Sequence, residues 1–519
     1  LNQRKLLKDI GIVTVVLGLA RVFGFVRDTI MLPRFGMEKM TDAWNISSKI
    51  PMTISVLLMT GVFSAVFIPI FTKYIVNKDF KGLTKLVGVL FTVITVGFTV
   101  IMILGMIFAE PIVKYVLTSP GANPEMLETA INLFRIMMPA VLLMAWSGLL
   151  TGIHQSFQRF TLPAVGNLLL NLSFIAALVF LPKSWGIYVM AYGLLVGSFL
   201  LFVVQLPGVF GKNLKLNINV DLKHPALTGI GSLIIPVLLG SGISYIIPFF
   251  ENYIASALMV GSVTAYTTAW KVSQLPLSIF IMTISTVIFP QFSTSVALNR
   301  PEALKYNIIW GLKLVAFIII PCGIGILALA EPMVVTLFLR GEFTMLDAIR
   351  VAQPLSIYAI ALLPWAFSAV LVKVFYSMGD TKTPVWIALI SVTLLVALEL
   401  IFVRIWNVMG MAIGSATAAF VSMLLQLVMV RKKIGNFGIS SLLISVIKST
   451  ISAGVMGVVA FYTSHRAMNV VNQATNTGRI LSLTFAIVAG IIVYIGMMYL
   501  INRAELREVF SALSRKEAV

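Results

Sequence analysis

Charged side chains standing inside long apolar stretches are the residues of this chain whose types and spacing could do chemistry. Arg21, Arg27 and Asp28 share the first stretch, and Asp42 and Lys49 open the second. Arg135, Glu251, Lys271, Lys313, Lys373 and Glu399 stand in later ones. A charge at the centre of a bilayer costs at least about 2.5–3.5 kcal/mol on insertion scales, so such groups face a wet cavity or a partner. Cations gathered on one cavity call for an anionic ligand. The planar arginine fork is the side chain best matched to phosphate.

The spacing refines this. Arg21 and Arg27 are separated by about 600° of helical rotation, so they do not share a face, whereas Asp28 lies within about 20° of Arg21. Arg27 and Asp28 could also pair with each other near the end of the stretch. Gly24 lies between the two arginines and weakens the helix there, which makes it the expected hinge. Lys49 is followed by Pro51 and Lys271 by Pro276, each lysine about seven residues into its stretch. Lys313 and Lys373 are better read as snorkelling to the headgroups. Glu251 and Glu399 are isolated acids, readable as a cation or proton site or as hydrogen-bonded carboxyls packed between helices.

The elements that must position these groups are membrane spans. Of 519 residues, 59% are hydrophobic and only 11% charged, against roughly 45–50% and about 25% in soluble chains. The mean hydropathy is +1.01. These values exclude a soluble enzyme, a disordered chain and a disulfide scaffold. The expectation is an all-α polytopic membrane protein of about 14 transmembrane helices. Their expected extents are 9–33, 43–74, 84–109, 127–154, 161–181, 186–209, 227–257, 264–296, 305–329, 346–377, 384–404, 409–430, 441–463 and 480–502. Basic residues crowd the N-terminus (Arg4, Lys5, Lys8), the second loop (Lys73, Lys78, Lys81, Lys85) and the twelfth (Arg431, Lys432, Lys433). The positive-inside rule then puts both termini in the cytoplasm. No cleavable leader is expected.

The net charge of +19 follows from those loops and from contact with anionic headgroups. No basic segment carries interleaved aromatics, so no nucleic-acid partner is expected. The single cysteine, Cys322, excludes an internal disulfide. No phosphate loop, zinc motif or nucleophile elbow is present, which argues against an enzyme.

Shifting the chain by 221 residues aligns it with itself. Ala109-Glu110-Pro111 falls on Ala330-Glu331-Pro332, Pro69 on Pro290, Pro163 on Pro384, and Met190-Ala191 on Met411-Ala412. The reading is two six-helix lobes in a parallel pseudo-repeat, 1–211 and 222–433, followed by two further helices and a tail over 434–519.

Four segments carry a family resemblance. They are Arg21-Val-Phe-Gly-Phe-Val-Arg27-Asp28 with Thr41-Asp42-Ala43; Phe63-Ser-Ala-Val-Phe-Ile-Pro69; Arg135-Ile-Met-Met-Pro139 with Ser147-Gly148 and Asn167; and Pro321 through Ala330-Glu331-Pro332, Arg340-Gly341-Glu342-Phe343 and Tyr376 to Asp380-Thr-Lys-Thr-Pro384. Together they resemble the MurJ (MviN) family of lipid II flippases, in the superfamily that includes MATE transporters and Wzx-type flippases. The resemblance implies an inner-membrane protein of peptidoglycan synthesis that moves lipid II, an undecaprenyl-pyrophosphate glycan, to the outer leaflet. It implies cavity cations at Arg21, Arg27 and Lys271 and places the family's two aspartates at Asp28 and Asp42; with Lys49, which this chain offers as a substitute cation, these are the expected substrate-binding residues. It implies a sodium site between spans 7, 11 and 12 in one family member, here Glu251, Glu399 and Ser415. It implies a groove for the polyprenyl tail at the extra helices. No cofactor is expected beyond Na+ or H+ as coupling ion, and cell-wall synthases are candidate partners.

The chain also departs from the family pattern. Met52 replaces an Asn, Ser55 stands at a usual arginine, Met59-Thr60-Gly61 replaces Ala-Glu-Gly, and Leu395 replaces an Asn beside the sodium acids. Three other readings stay open: a Wzx-like flippase for another undecaprenyl-pyrophosphate oligosaccharide, a MATE-like cation-coupled drug exporter, and a membrane-bound glycosyltransferase or regulatory scaffold that translocates nothing. The second predicts an acidic cavity, which the span 1 arginines oppose.

Overall fold

The computed structural model describes residues 3–57, 63–210, 247–470, 475–503 and 505–507, with single positions 219, 221, 227 and 230. Among these residues the chain is helical throughout, joined by short turns. Among the described residues, nine helices are long and apolar enough to cross a membrane, and most of expected span 7 (227–257) lies outside them. One of the nine, Lys382–Ile434, contains two of the expected spans.

The chain divides into two compact units. The first holds residues 1–264 with the four residues 340–343, and the second holds 265–339 with 344–519. In the first unit lie α1 (Gln3–Phe35), α2 (Lys39–Ser47), α3 (Lys49–Val56), α4 (Phe63–Val76), α5 (Phe80–Ile107), α6 (Pro124–Ser156), α7 (Thr161–Phe180) and α8 (Tyr188–Val203). Residues 247–256 are also helical. An aromatic ladder, Phe63, Phe67 and Phe71, packs with Leu83, Leu86, Leu90, Leu149 and Leu150 to form its core. Apolar lipid drives no burial between helices, so spans associate by close packing at small residues. Gly193 and Gly197 do this for α8, where added methyls would press on Phe174 and Leu170 of α7.

The second unit holds the greater part of α9 (Ser262–Pro276), then α10 (Met282–Ala297), α11 (Pro301–Phe338), α12 (Met345–Ser377), α13 (Lys382–Ile434), α14 (Ile439–Val470) and α15 (Asn476–Ile501). A π-turn over Leu277–Ile281 separates α9 from α10. Expected span 8 is thus two helices rather than one, and Pro276 and Pro290 mark it. A proline inside a helix withholds one backbone donor and crowds the preceding turn. Span 2 is also broken, at Ser48 between α2 and α3, and its positions 58–62, with the expected Met59-Thr60-Gly61 departure, lie outside the described residues.

The internal repeat is visible in the backbone. The helix breaks at Phe108 (φ −91°, ψ 19°), just before Ala109-Glu110-Pro111. It breaks again at Leu329 (φ −115°, ψ 16°), just before Ala330-Glu331-Pro332. These two residues are one repeat length apart, so the shared triplet encodes a shared kink. In α13 the break is Asn407 at φ +50°. The two arms then approach so closely that a side chain on Gly410 would strike the Phe402 carbonyl.

Candidate functional site

Span 1 carries the strongest candidate. Arg27 donates from Nε to Asp28 Oδ1 at 2.9 Å, and its Nη2 lies 2.9 Å from the same oxygen. The guanidinium also stands 5.0 Å from the centroid of the Phe174 ring on α7. This is a cation–π contact, and it orients the fork. Asp28 is buried and Arg27 only partly so. The pairing expected from adjacency therefore forms, and Arg27 keeps some exposure. Arg21, two turns earlier, is exposed. Gly24 faces α7: a methyl there would sit 3.2 Å from Oδ1 of Asn171. The candidate hinge is thus also a close-packing point.

Asp42 is 2% exposed. Its Oδ1 accepts from the Thr264 backbone N–H at 2.8 Å and from the Thr264 hydroxyl at 2.6 Å. Its Oδ2 accepts from the Gly261 N–H at 2.6 Å. The carboxylate therefore caps the first turn of α9, where helical N–H groups lack partners and the helix dipole favours an anion. Asn45 completes the knot by donating to the Thr264 hydroxyl at 3.1 Å and to the Thr41 carbonyl at 3.0 Å. Asn45 and Thr264 lay outside the sequence reading. The paired polar residues near two span starts were the signal for them.

Lys49 is half-buried at the start of α3, and Ser55, at the family's usual arginine, is buried on the same helix. Lys271 is half-buried on α9 in the second unit. Glu251 is buried in the first unit. Glu399 is fully buried in the second unit, as is most of Ser415. Glu399 and Ser415 do converge: a methyl on Gly414, next to Ser415, would stand 2.9 Å from Cγ of Glu399. The two arms of α13 pack side by side there. No cluster of three or more metal-ligating side chains is found among the described residues.

An apolar cavity of about 310 Å³ opens within the second unit. Val272, Pro276, Pro321, Cys322, Met456, Gly490 and Tyr494 line it. These residues come from α9, α11, α14 and α15. The Tyr494 hydroxyl donates to the Phe317 carbonyl at 2.8 Å and pins α15 to α11 along one side.

The kinked, multi-pass helical fold of this chain is one that solved membrane transporters share. Its fold matches a solved inward-facing MATE multidrug transporter with a TM-score of 0.68 and 17% identity, over 82% of this chain and 96% of that one. It matches a solved inward-closed lipid II flippase MurJ with a TM-score of 0.77 and 20% identity, over 95% and 98%. The family model of the lipid II flippase MurJ matches residues 32–478, and the chain belongs to that family, whose members are transporters rather than enzymes. Among its relatives is a probable lipid II flippase MurJ of Buchnera aphidicola, 28% identical over 96% of this chain and 98% of that protein. Another is the lipid II flippase MurJ of Burkholderia cenocepacia, 27% identical over 80% and 82%.

Proposed function

We propose that this protein flips lipid II from the cytoplasmic to the outer leaflet of a bacterial inner membrane by alternating access, with both termini cytoplasmic. The observation that carries the reading is the family match over residues 32–478. Arg21, Arg27 and Lys271 would hold the pyrophosphate through charge-assisted hydrogen bonds. Arg27 is the best placed of them, because Asp28 and Phe174 already fix its fork. Asp28 enters as the group that orients Arg27. Asp42 enters as a positioning residue that holds the start of α9, the helix carrying Lys271. Lys49 stands in for the cation that Ser55 lacks. Gly24 is the point at which span 1 bends.

The apolar cavity suits one stretch of the undecaprenyl tail, since its lining is almost wholly hydrocarbon. The two lobes of the carrier are 1–211 and 222–433, with 434–519 supplying the tail groove. Glu251, Glu399 and Ser415 supply the coupling cation site, for Na+ or H+. Membrane potential adds about 2.3 kcal/mol per charge per 100 mV to the return of a positively charged empty cavity. A cell-wall synthase that consumes the exported lipid is the natural partner.

The test is replacement. A bacterium is depleted of its own lipid II flippase, this chain is expressed, and lipid II exposed on the outer leaflet is assayed. Exposure is expected to return with the native chain and to be lost with Arg27→Ala. No rescue by correctly inserted protein sinks the lipid II reading and favours another undecaprenyl-linked glycan.

A further inference from the structure

Four residues in the turn between α11 and α12, Arg340-Gly341-Glu342-Phe343, belong to the first unit although the helices on either side belong to the second. Their contacts are with the end of α1. Pro33 lies inside that helix and has no N–H to give the carbonyl of Thr29, four residues earlier. Arg340 Nη2 donates to that carbonyl instead. The carbonyl of Pro33 is itself among the last four of the helix, which lack intrahelical donors. The Glu342 N–H supplies one at 2.8 Å. The tip thus completes two hydrogen bonds that α1 cannot make for itself.

The fit is close. Gly341 has φ +61°, and a methyl there would collide with the Pro33 carbonyl oxygen. Phe343 is 2% exposed. The base of the tip is braced on both sides. Arg479 Nη1 donates to the Leu339 carbonyl at 2.5 Å, and Thr344 and Asp347 form a reciprocal cap at the start of α12. The tip itself gives the end of α1 one guanidinium and one N–H.

We propose that Arg340–Phe343 is a releasable latch on α1: docked, it holds the Pro33 end of the helix that carries Arg21 and Arg27, and it lets go once per transport cycle. This rests on the alternating-access reading above. Thr29 lies only two residues beyond Arg27, so the latch acts on the segment that bears the substrate-binding cations. Both hydrogen bonds end on backbone carbonyls and neither on a carboxylate, so opening the contact leaves no buried carboxylate without its partner, as breaking a buried ion pair would.

The test uses full-length protein with Cys322→Ala, carrying Gly36→Cys and Glu342→Cys. The β-carbons at these positions would stand 3.5 Å apart, within disulfide range. In lipid II proteoliposomes, oxidation is expected to cut flipping about tenfold or more, and reductant to restore it; neither single-cysteine variant should respond. Failure of the pair to cross-link, or unchanged flipping after cross-linking, overturns the latch. A second measurement needs no substrate. Phe343→Cys is labelled with an impermeant maleimide, with and without Arg340→Ala. Losing a charged hydrogen bond should speed labelling about tenfold; equal rates overturn the latch. If the reduced double variant moves no lipid II while labelling follows Arg340 as expected, the substrate reading falls and the latch stands.

Discussion

Arg27 is held from two sides, by the Asp28 carboxylate at 2.9 Å and by the Phe174 ring at 5.0 Å. Replacing Asp28 with Asn removes the charge but keeps the shape. Flipping by Asp28→Asn is expected to fall less than by Arg27→Ala, because the fork persists while its aim loosens; equal loss in the exposure assay would make Asp28 a direct ligand instead. Outside the spans, Asp380 does a different job. Its Oδ1 accepts from the N–H groups of Lys382 and Thr383, and its Oδ2 meets Lys433 at 2.9 Å. The hydrogen bonds from Thr383, helped by Lys433, hold its carboxyl well below the usual carboxylate range. The charged form is thus favoured by folding. Its stabilisation is complete above the ordinary carboxylate value and is lost as pH falls toward the depressed one. The melting temperature of the native chain should therefore exceed that of Asp380→Asn by a constant margin from pH 7 to about 5 and converge with it at lower pH. A margin that narrows already between pH 7 and 5 would contradict this assignment.

At the scale of elements, the breaks matter more than the helices. Asn407 divides α13 into two arms, and Gly410 lets them close. Gly410→Ala should destabilise the protein by about 1–3 kcal/mol through backbone overpacking, seen as a lower melting temperature in detergent. Gly454→Ala, on α14 with open space around the position, should change it by less than about 0.5 kcal/mol. The Lys433–Asp380 contact ties the far ends of the same two arms. Glu399 and Ser415 are therefore brought together on a hairpin that is fastened at its turn and at its base.

At the scale of the whole molecule, the cavity among α9, α11, α14 and α15 is the proposed seat of the lipid tail. Ala486→Phe would fill it, since Ala486 is fully buried on its wall. Such a variant should lose flipping of long-chain lipid II while keeping that of a short-chain analogue, as read in matched proteoliposomes. Equal loss of both would place the tail elsewhere. Orientation has its own check: tags at the N- and C-terminus should both be protected from protease added outside intact cells, as loop charge requires.

Composition alone determined that this chain lives in a membrane, because 59% hydrophobic and 11% charged residues can be buried only by lipid. Periodic apolar runs set most span positions to within a few residues. The 221-residue repeat puts the same Ala-Glu-Pro triplet after Phe108 and after Leu329, and the proline that ends it acts locally, which is why both copies kink alike. The charged residues inside spans marked the candidate site for a similar reason: their cost in lipid is a property of each residue. What tertiary structure decided was partnership. Asp42 looked like a cavity acid, yet its oxygens are engaged by an N-terminus more than two hundred residues away. Arg340 carried no sign in its own segment that Pro33 had left a carbonyl for it. A hydrogen bond needs two ends, and the distant end lies beyond any local window of sequence.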